Sequence, residues 1–182
     1  MGRRKTVLVS HQAQDIAESW SRERPDLDPL DYLLPIYLIR IGRIVERVGD
    51  RKWQERFGIS GAELRVLLAL RRAGGDYERR PTDLFRALLV TSGAITKKVD
   101  RLTAAGFVKR RQDPSDKGGF LVHLTARGKQ TADKAMTEIA ASSVLSRQRI
   151  SLSRAERKVM TRLCERILMD FEADPEVVDV LA

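Results

Sequence analysis

A mainly α-helical chain with one small β-hairpin is the fold class that the 182-residue sequence predicts, and three observations carry it. Apolar residues recur at steps of three and four along most of the chain, which is the period of a half-buried helix. Between Phe107 and Leu124 that period gives way to two β-rich runs, FVKRR and FLVHL, separated by an Asp-Pro pair and two glycines. The positive charge gathers around the same place: of a net charge of +9, the segment Arg79 to Lys134 holds 13 basic against 5 acidic residues. A field so concentrated points to a polyanionic partner.

In chain order, Ser10 to Ser21 is expected as a short amphipathic helix with Ala13, Ile16, Ala17 and Trp20 on one face. The connector RERPDLDP breaks it, since prolines and acids in close succession stay solvated. A long helix follows from about Asp31 to Phe57 on Ile36, Tyr37, Ile41, Ile44, Val45 and Val48, with Pro35 either starting or kinking it. Ser60-Gly61 restarts the chain, Ala62 to Ala73 forms the next helix on Leu64, Leu67, Leu68 and Leu70, and Gly74-Gly75 ends it.

The stretch Pro81 to Thr125 organises the rest. Its first helix is expected to start at Thr82 as cap and to turn Leu84, Phe85, Leu88 and Leu89 inward. Thr91 and Ser92 offer the next cap, and Ile95, Val99 and Leu102 line one side of a helix from Ser92 to Ala105. Gly93, Ala94, Lys97, Lys98 and Arg101 lie on the other side, flanked by Ser92 and Thr96. Small residues at the start let a helix end enter a groove about 12 Å wide, and the cations beyond reach phosphates or guanine edges. Taken alone, this helix fits an ordinary solvated face equally well; its neighbours decide. Gly106 ends it, and the hairpin after it has basic exposed positions, Arg111 among them, with Asp116-Lys117-Gly118-Gly119 as its tip. Such a hairpin is a wing that tracks phosphates or enters the adjacent minor groove, with Lys117 as a further contact. Helix, turn, helix and wing together make a winged helix-turn-helix for duplex DNA.

After the wing, Thr125 is expected to cap a helix to about Arg149 on Ala132, Ala135, Met136, Ile139 and Val144. Ser153 and Glu156 then form a capping box for a last helix ending near Glu172, with Met160, Leu163, Ile167 and Phe171 as its stripe. These terminal helices carry more apolar surface than a reader of about 65 residues needs. Either they pack on their own reader or they join two copies, and the second reading places two reader helices roughly 34 Å apart on a near-palindromic site. The expected organisation is 1–57 and 125–182 for dimerisation, with 58–124 as the DNA-binding region.

The run SGAITKKVDRLTAAGFVKRRQDPSDKGGFLVHLTARGK, Ser92 to Lys129, resembles the multiple antibiotic resistance regulator (MarR) family. The matching features are the serine-glycine helix start, the Arg-Leu pair, the glycine-ended helix, the DP-x-D wing and the closing Leu-Thr-x-x-Gly. The resemblance implies a dimeric, mostly helical DNA-binding repressor whose affinity is often lowered by a small aromatic or phenolic ligand. It also shows a departure: the family's wing arginine is replaced by Gly118, beside Lys117. Trp20 and the following RPDLD resemble the urate-responsive branch, in which a tryptophan, an acid before the reader and the wing arginine sense ligand. Here the acid position is Arg65, so an anionic aromatic ligand held by Arg65 near Trp20 or Trp53 is expected in place of urate. The plainer alternatives are a hydrophobic anchor for Trp20 and a surface role for Arg65.

Other classes are disfavoured. His11 and His123 are the only histidines and no HExxH, GxSxG, Walker-type or CxxC spacing occurs, which argues against an enzyme, a metal or a cofactor. Cys164 is the single cysteine, so no internal disulfide forms, and its helical setting makes a buried or half-buried thiol. The longest apolar run, LLPIYLI, is too short to span a bilayer. MGRRKT carries the letters of a myristoylation or twin-arginine signal but reads as a basic arm, and the protein is expected in the cytoplasm. A non-specific DNA coat and a winged helix that binds protein remain the alternative functions.

Overall fold

The structure is a computed structural model that describes residues 12–146 and 148–181. Its elements are α1 (Gln12–Glu23), α2 (Pro29–Phe57), α3 (Gly61–Arg72), β1 (Glu78–Arg79), α4 (Pro81–Leu88), α5 (Ser92–Ala104), β2 (Val108–Asp113), β3 (Asp116–Leu124), α6 (Ala126–Ser142), α7 (Arg154–Ala173) and α8 (Pro175–Leu181). The chain divides into two compact units, one ending at Arg47 and the other starting at Val48. The basic arm MGRRKT and His11 lie outside the described residues.

In the first unit, Asp28 accepts the Leu30 N–H at 2.9 Å and so caps α2, whose first residue is Pro29, where a missing N–H costs nothing. Pro35 therefore neither starts the helix nor ends it, but sits inside. Tyr37 donates its hydroxyl to the Ala13 carbonyl at 3.1 Å, and the Trp20 and Tyr32 rings meet at 6.4 Å between centroids.

The second unit is built on α3. Its start is a capping box in which Ser60 accepts the Glu63 N–H and Glu63 accepts the Ser60 N–H. Leu64, Val66, Leu67 and Leu70 of α3 are buried with Leu84 of α4, Ile95, Val99 and Leu102 of α5, Val122 and Leu124 of β3, and Ala132 and Ala135 of α6. The three strands form one antiparallel sheet in the order β1-β3-β2. The hairpin is thus joined by a third strand that the sequence pattern does not reveal: Glu78 and Arg79 pair with His123 and Val122. Two residues carry too little alternation to signal a strand.

Several boundaries differ from expectation for physical reasons. α4 begins at Pro81 with Arg80 as N-cap and no side-chain cap bond, so Thr82 is not the cap; proline at the first helical position has its φ preset. Leu89 is not inward: it ends α4 in the left-handed conformation (φ 52°) and is 62% exposed, forming the turn of the helix-turn-helix. α6 stops at Ser142, well short of Arg149. The sequence beyond it is rich in serine, whose hydroxyls compete for backbone partners, and Ser142 already donates to the Glu138 carbonyl. Val144 consequently lies outside the helix. The last segment holds two helices, because Asp174 breaks α7 in an extended conformation and Pro175 opens α8.

Candidate DNA interface

α5 is fixed at both ends by local chemistry. Thr91 is its N-cap and accepts the Ala94 N–H at 3.3 Å, which makes Ser92 the first helical residue. At the other end Gly106 takes φ +75°, donating to the Thr103 carbonyl at 3.0 Å, while Phe107 donates to the Leu102 carbonyl at 2.9 Å. This is a Schellman closure, and its hydrophobic partners Phe107 and Leu102 are both buried.

The Leu-Thr-x-x-Gly sequence then locks the start of α6 onto that end. The Thr125 hydroxyl lies 2.8 Å from the Gly106 carbonyl and 3.0 Å from the Phe107 carbonyl, and it accepts the Gly128 N–H at 3.0 Å. Gly128 is required for the close approach: a Cβ there would stand 2.1 Å from the Phe107 carbonyl oxygen.

With Ile95, Val99 and Leu102 buried, the opposite face of α5 is open to solvent at Ser92, Gly93, Thr96, Lys97 and Arg101. Ala94 and Lys98 are half-buried, and Lys98 donates to the Ala94 carbonyl at 3.4 Å. Arg101 reaches Glu63 only at 3.9 Å and is 79% exposed, so the pair neutralises little of its charge. Lys97 makes no ion pair among the described residues. Gly93 is informative by what surrounds it: a Cβ at that position meets nothing within 4 Å. Among the described residues no positive φ or packing contact requires glycine there, although glycine costs a helix up to about 1 kcal/mol relative to alanine.

The wing is organised by two aspartates. Asp113 is 4% exposed and accepts from Arg80 at 2.6 Å, from the Ser115 N–H at 2.9 Å and from the Ser115 hydroxyl at 2.7 Å. The Arg80 guanidinium and then the Ser115 donors pull its carboxyl down to about 2. Arg80 is at once the N-cap of α4 and the anchor of the wing turn, a role absent from the sequence-based expectations. The available signal was an aspartate in an Asp-Pro turn with an arginine beside the proline that starts the preceding helix. Asp116 shapes the start of β3: it accepts the Gly118 N–H at 3.1 Å, and a Cβ on Gly119 would fall 2.5 Å from its carboxylate.

The expected tip is corrected accordingly. The reversal is Pro114-Ser115, between the partners Asp113 and Asp116, and Lys117-Gly118-Gly119 is a bulge in β3 where the register jumps from Gln112–Phe120 to Asp113–Asp116. Lys117 is exposed on that bulge. Arg111 is directed to Glu78 at 3.6 Å, which also faces His123 Nδ1 at 3.4 Å, so His123 belongs to the sheet. Arg110 pairs with Asp100 of α5 and lies 4.6 Å from the Phe120 ring centroid, tying β2 to the reader helix.

The expected ligand residues are placed differently from one another. Trp20 is in the first unit and 48% exposed. In the second unit Arg65 is exposed, while Trp53 is only 7% exposed, stacked on Phe57 at 5.9 Å and covered by Lys52 at 4.7 Å. Trp53 is therefore a core side chain.

Helix, left-handed turn, capped reader helix and clamped wing are the parts of a winged helix-turn-helix, and comparison with known proteins assigns them. Residues 57–117 match the MarR family model. The HTH-type transcriptional regulator PecS of Dickeya dadantii (strain 3937) is 31% identical over 117 residues, 64% of this chain and 70% of PecS. The chain belongs to the MarR family of transcriptional regulators. The multiple antibiotic resistance protein MarR of Escherichia coli (strain K12) is 34% identical over 97 residues, 50% of this chain and 65% of MarR. A cysteine-to-serine mutant of Escherichia coli MarR, in complex with operator DNA, matches with a TM-score of 0.60 at 27% identity, covering 78% of this chain and 99% of that one. Like other members, this MarR-family chain is a transcriptional regulator with a DNA-reading winged helix, and among the described residues no helix is long and apolar enough to cross a membrane.

Proposed function

We propose that the protein is a repressor that acts as a homodimer, inserting the helix Ser92–Ala104 of each copy into the major groove of a near-palindromic site. One observation carries this reading: the open face of α5 starts with a glycine that the fold does not need and continues into cations that the fold leaves largely unneutralised. Lys117 on the wing bulge supplies a backbone contact as a point charge, since Gly118 stands where the family has its arginine. Arg111 adds charge from β2, shared with Glu78.

The dimer is supported by α7, which has no buried residue and exposes Val159, Leu163, Leu168, Met169 and Phe171. Residues 125–182 and 1–57 are assigned to it. A small aromatic or phenolic anion is the proposed effector, with Trp20 and Arg65 as the residues to test. This reading makes the protein a non-catalytic cytoplasmic regulator.

The double variant Lys97→Ala, Lys98→Ala tests the interface. If both ammonium groups reach phosphate, the salt slope of operator binding flattens by about 2. An unchanged slope removes both from the backbone contacts. A non-specific coat would show the same slope but no preference for one duplex over bulk competitor.

A further inference from the structure

The guanidinium groups of the wing are turned onto the protein itself. Arg80 reaches from the N-cap of α4 to Asp113 at 2.6 Å, Arg110 pairs with Asp100 of α5 and lies over the Phe120 ring, and Arg111 faces Glu78 of β1 at 3.6 Å. Both arginines of the hairpin, and the one that anchors it, thus have a carboxylate beside them. The ammonium groups are left over. Lys109 and Lys117 are exposed and make no ion pair among the described residues. Lys109 stands opposite His123, at the end of the hairpin away from its reversal, whereas Lys117 lies on the bulge beside it.

The outer end of the wing is not a positive surface. From Asp113 to Gly119 the chain carries two aspartates and one lysine, and Arg80 offsets Asp113 alone. Asp116 stays exposed and accepts the Gly118 N–H at 3.1 Å. The two glycines that follow differ in kind. A Cβ on Gly119 would fall 2.5 Å from the Asp116 carboxylate, so the bulge needs glycine there. On Gly118 a Cβ would meet the same carboxylate at 3.9 Å, an ordinary contact, and its φ is not positive. As at Gly93 on α5, nothing among the described residues demands glycine at that position.

We propose that the bulge Lys117-Gly118-Gly119 lies along the sugar-phosphate backbone at the edge of the site and stays out of the minor groove, so that the base pairs flanking the α5 contacts go unread. This rests on the proposed DNA reading and specifies which part of the duplex carries its information. A narrow minor groove concentrates negative potential and suits arginine, whose planar fork is weakly hydrated. Here Asp116 opposes entry, and the cation next to it is an ammonium, a strongly hydrated point charge that binds phosphate whatever the sequence. The bare backbone at Gly118 lets the strand approach sugar and phosphate closely. Sequence discrimination is then confined to the major-groove face of α5.

The test uses the full chain and a duplex selected from a random pool, rebuilt with its core unchanged between A-tract flanks or between G·C flanks. The wild type is expected to select a core with no base preference in the flanks and to bind the two rebuilt duplexes within about twofold of each other. Lys117→Ala should weaken both duplexes equally and flatten the salt slope by about 1 per copy. Gly118→Arg, which the open space around that residue accommodates, should favour the A-tract duplex by about fivefold or more. A selected core together with a wild-type preference of about tenfold for A-tract flanks overturns the proposal and leaves the reading by α5 standing. An unchanged salt slope in Lys117→Ala overturns the backbone contact, and an unchanged flank ratio in Gly118→Arg overturns the part given to the missing guanidinium. Selection of no core at all overturns the DNA reading itself, and this proposal with it.

Discussion

α3 and α7 are both amphipathic helices opened by a serine-glutamate capping box, yet α3 buries seven of its twelve residues and α7 buries none of its twenty. The same local chemistry starts both, so the difference lies in what each apolar face meets. Around α3 the chain supplies α4, α5, α6 and the sheet, and the side chains interlock into one core. Around α7 the single chain leaves Leu163 and Phe171 about half exposed. Helix formation is thus settled locally, whereas the apolar face of α7 is left uncovered among the described residues. The contrast separates a reader whose core is complete in one chain from a helix whose apolar face is not covered among the described residues, the face proposed above for assembly.

Breaking the assembly surface should have the largest effect. Leu163→Glu with Phe171→Glu is expected to give a monomer by sedimentation, with the reader still folded by circular dichroism. Operator affinity should fall by about 100-fold or more, because two linked half-sites are lost. A variant that stays dimeric would place the interface elsewhere.

On the reader side the sharpest structural lesion is Gly128→Val, which drives a side chain into the Phe107 carbonyl. We expect a loss of about 3 kcal/mol or more in chemical denaturation, since backbone and cap must both move. A loss below about 1 kcal/mol would mean that α6 can lift off the end of α5 at little cost.

Gly93→Leu sharpens the distinction between folding and reading. With nothing near its Cβ, the change should leave stability unchanged or raise it by up to about 1 kcal/mol, yet lower operator affinity about tenfold or more. Equal affinity would show that the start of α5 does not approach DNA closely.

The smallest effect is a pH dependence. The Asp113 carboxyl is held at about 2, below its ordinary value of 3.8, by Arg80 and Ser115. Its contribution to stability is therefore full above pH 3.8 and is lost as pH falls through about 2. Melting of the wild type should drop across that window more steeply than melting of Asp113→Asn; parallel curves would show that the clamp does not hold the wing turn.

Much of the fold was legible because the informative signals are local. The Thr91 cap, the glycine after α5, the Thr125 cap and the Ser153–Glu156 box each involve residues within a turn of one another. The features that failed to show depend on distant partners or on competition. β1 exists only because β3 lies beside it, the wing reversal is set by Arg80 from another element, and Leu89 faces solvent because the turn demands its left-handed backbone. In the interface, the α5 face followed from helical spacing. The pairing of Arg111 with Glu78 and the burial of Trp53 did not, since both arise from tertiary packing.

Competition binding tests the central claim most directly. A duplex selected from a random pool by the wild-type protein is challenged with a large excess of random duplex at moderate salt. The account predicts a near-palindromic selected site that survives the competitor by about a thousandfold preference and loses it in Gly93→Leu. Selection of no common sequence, or equal competition by random duplex, would contradict it.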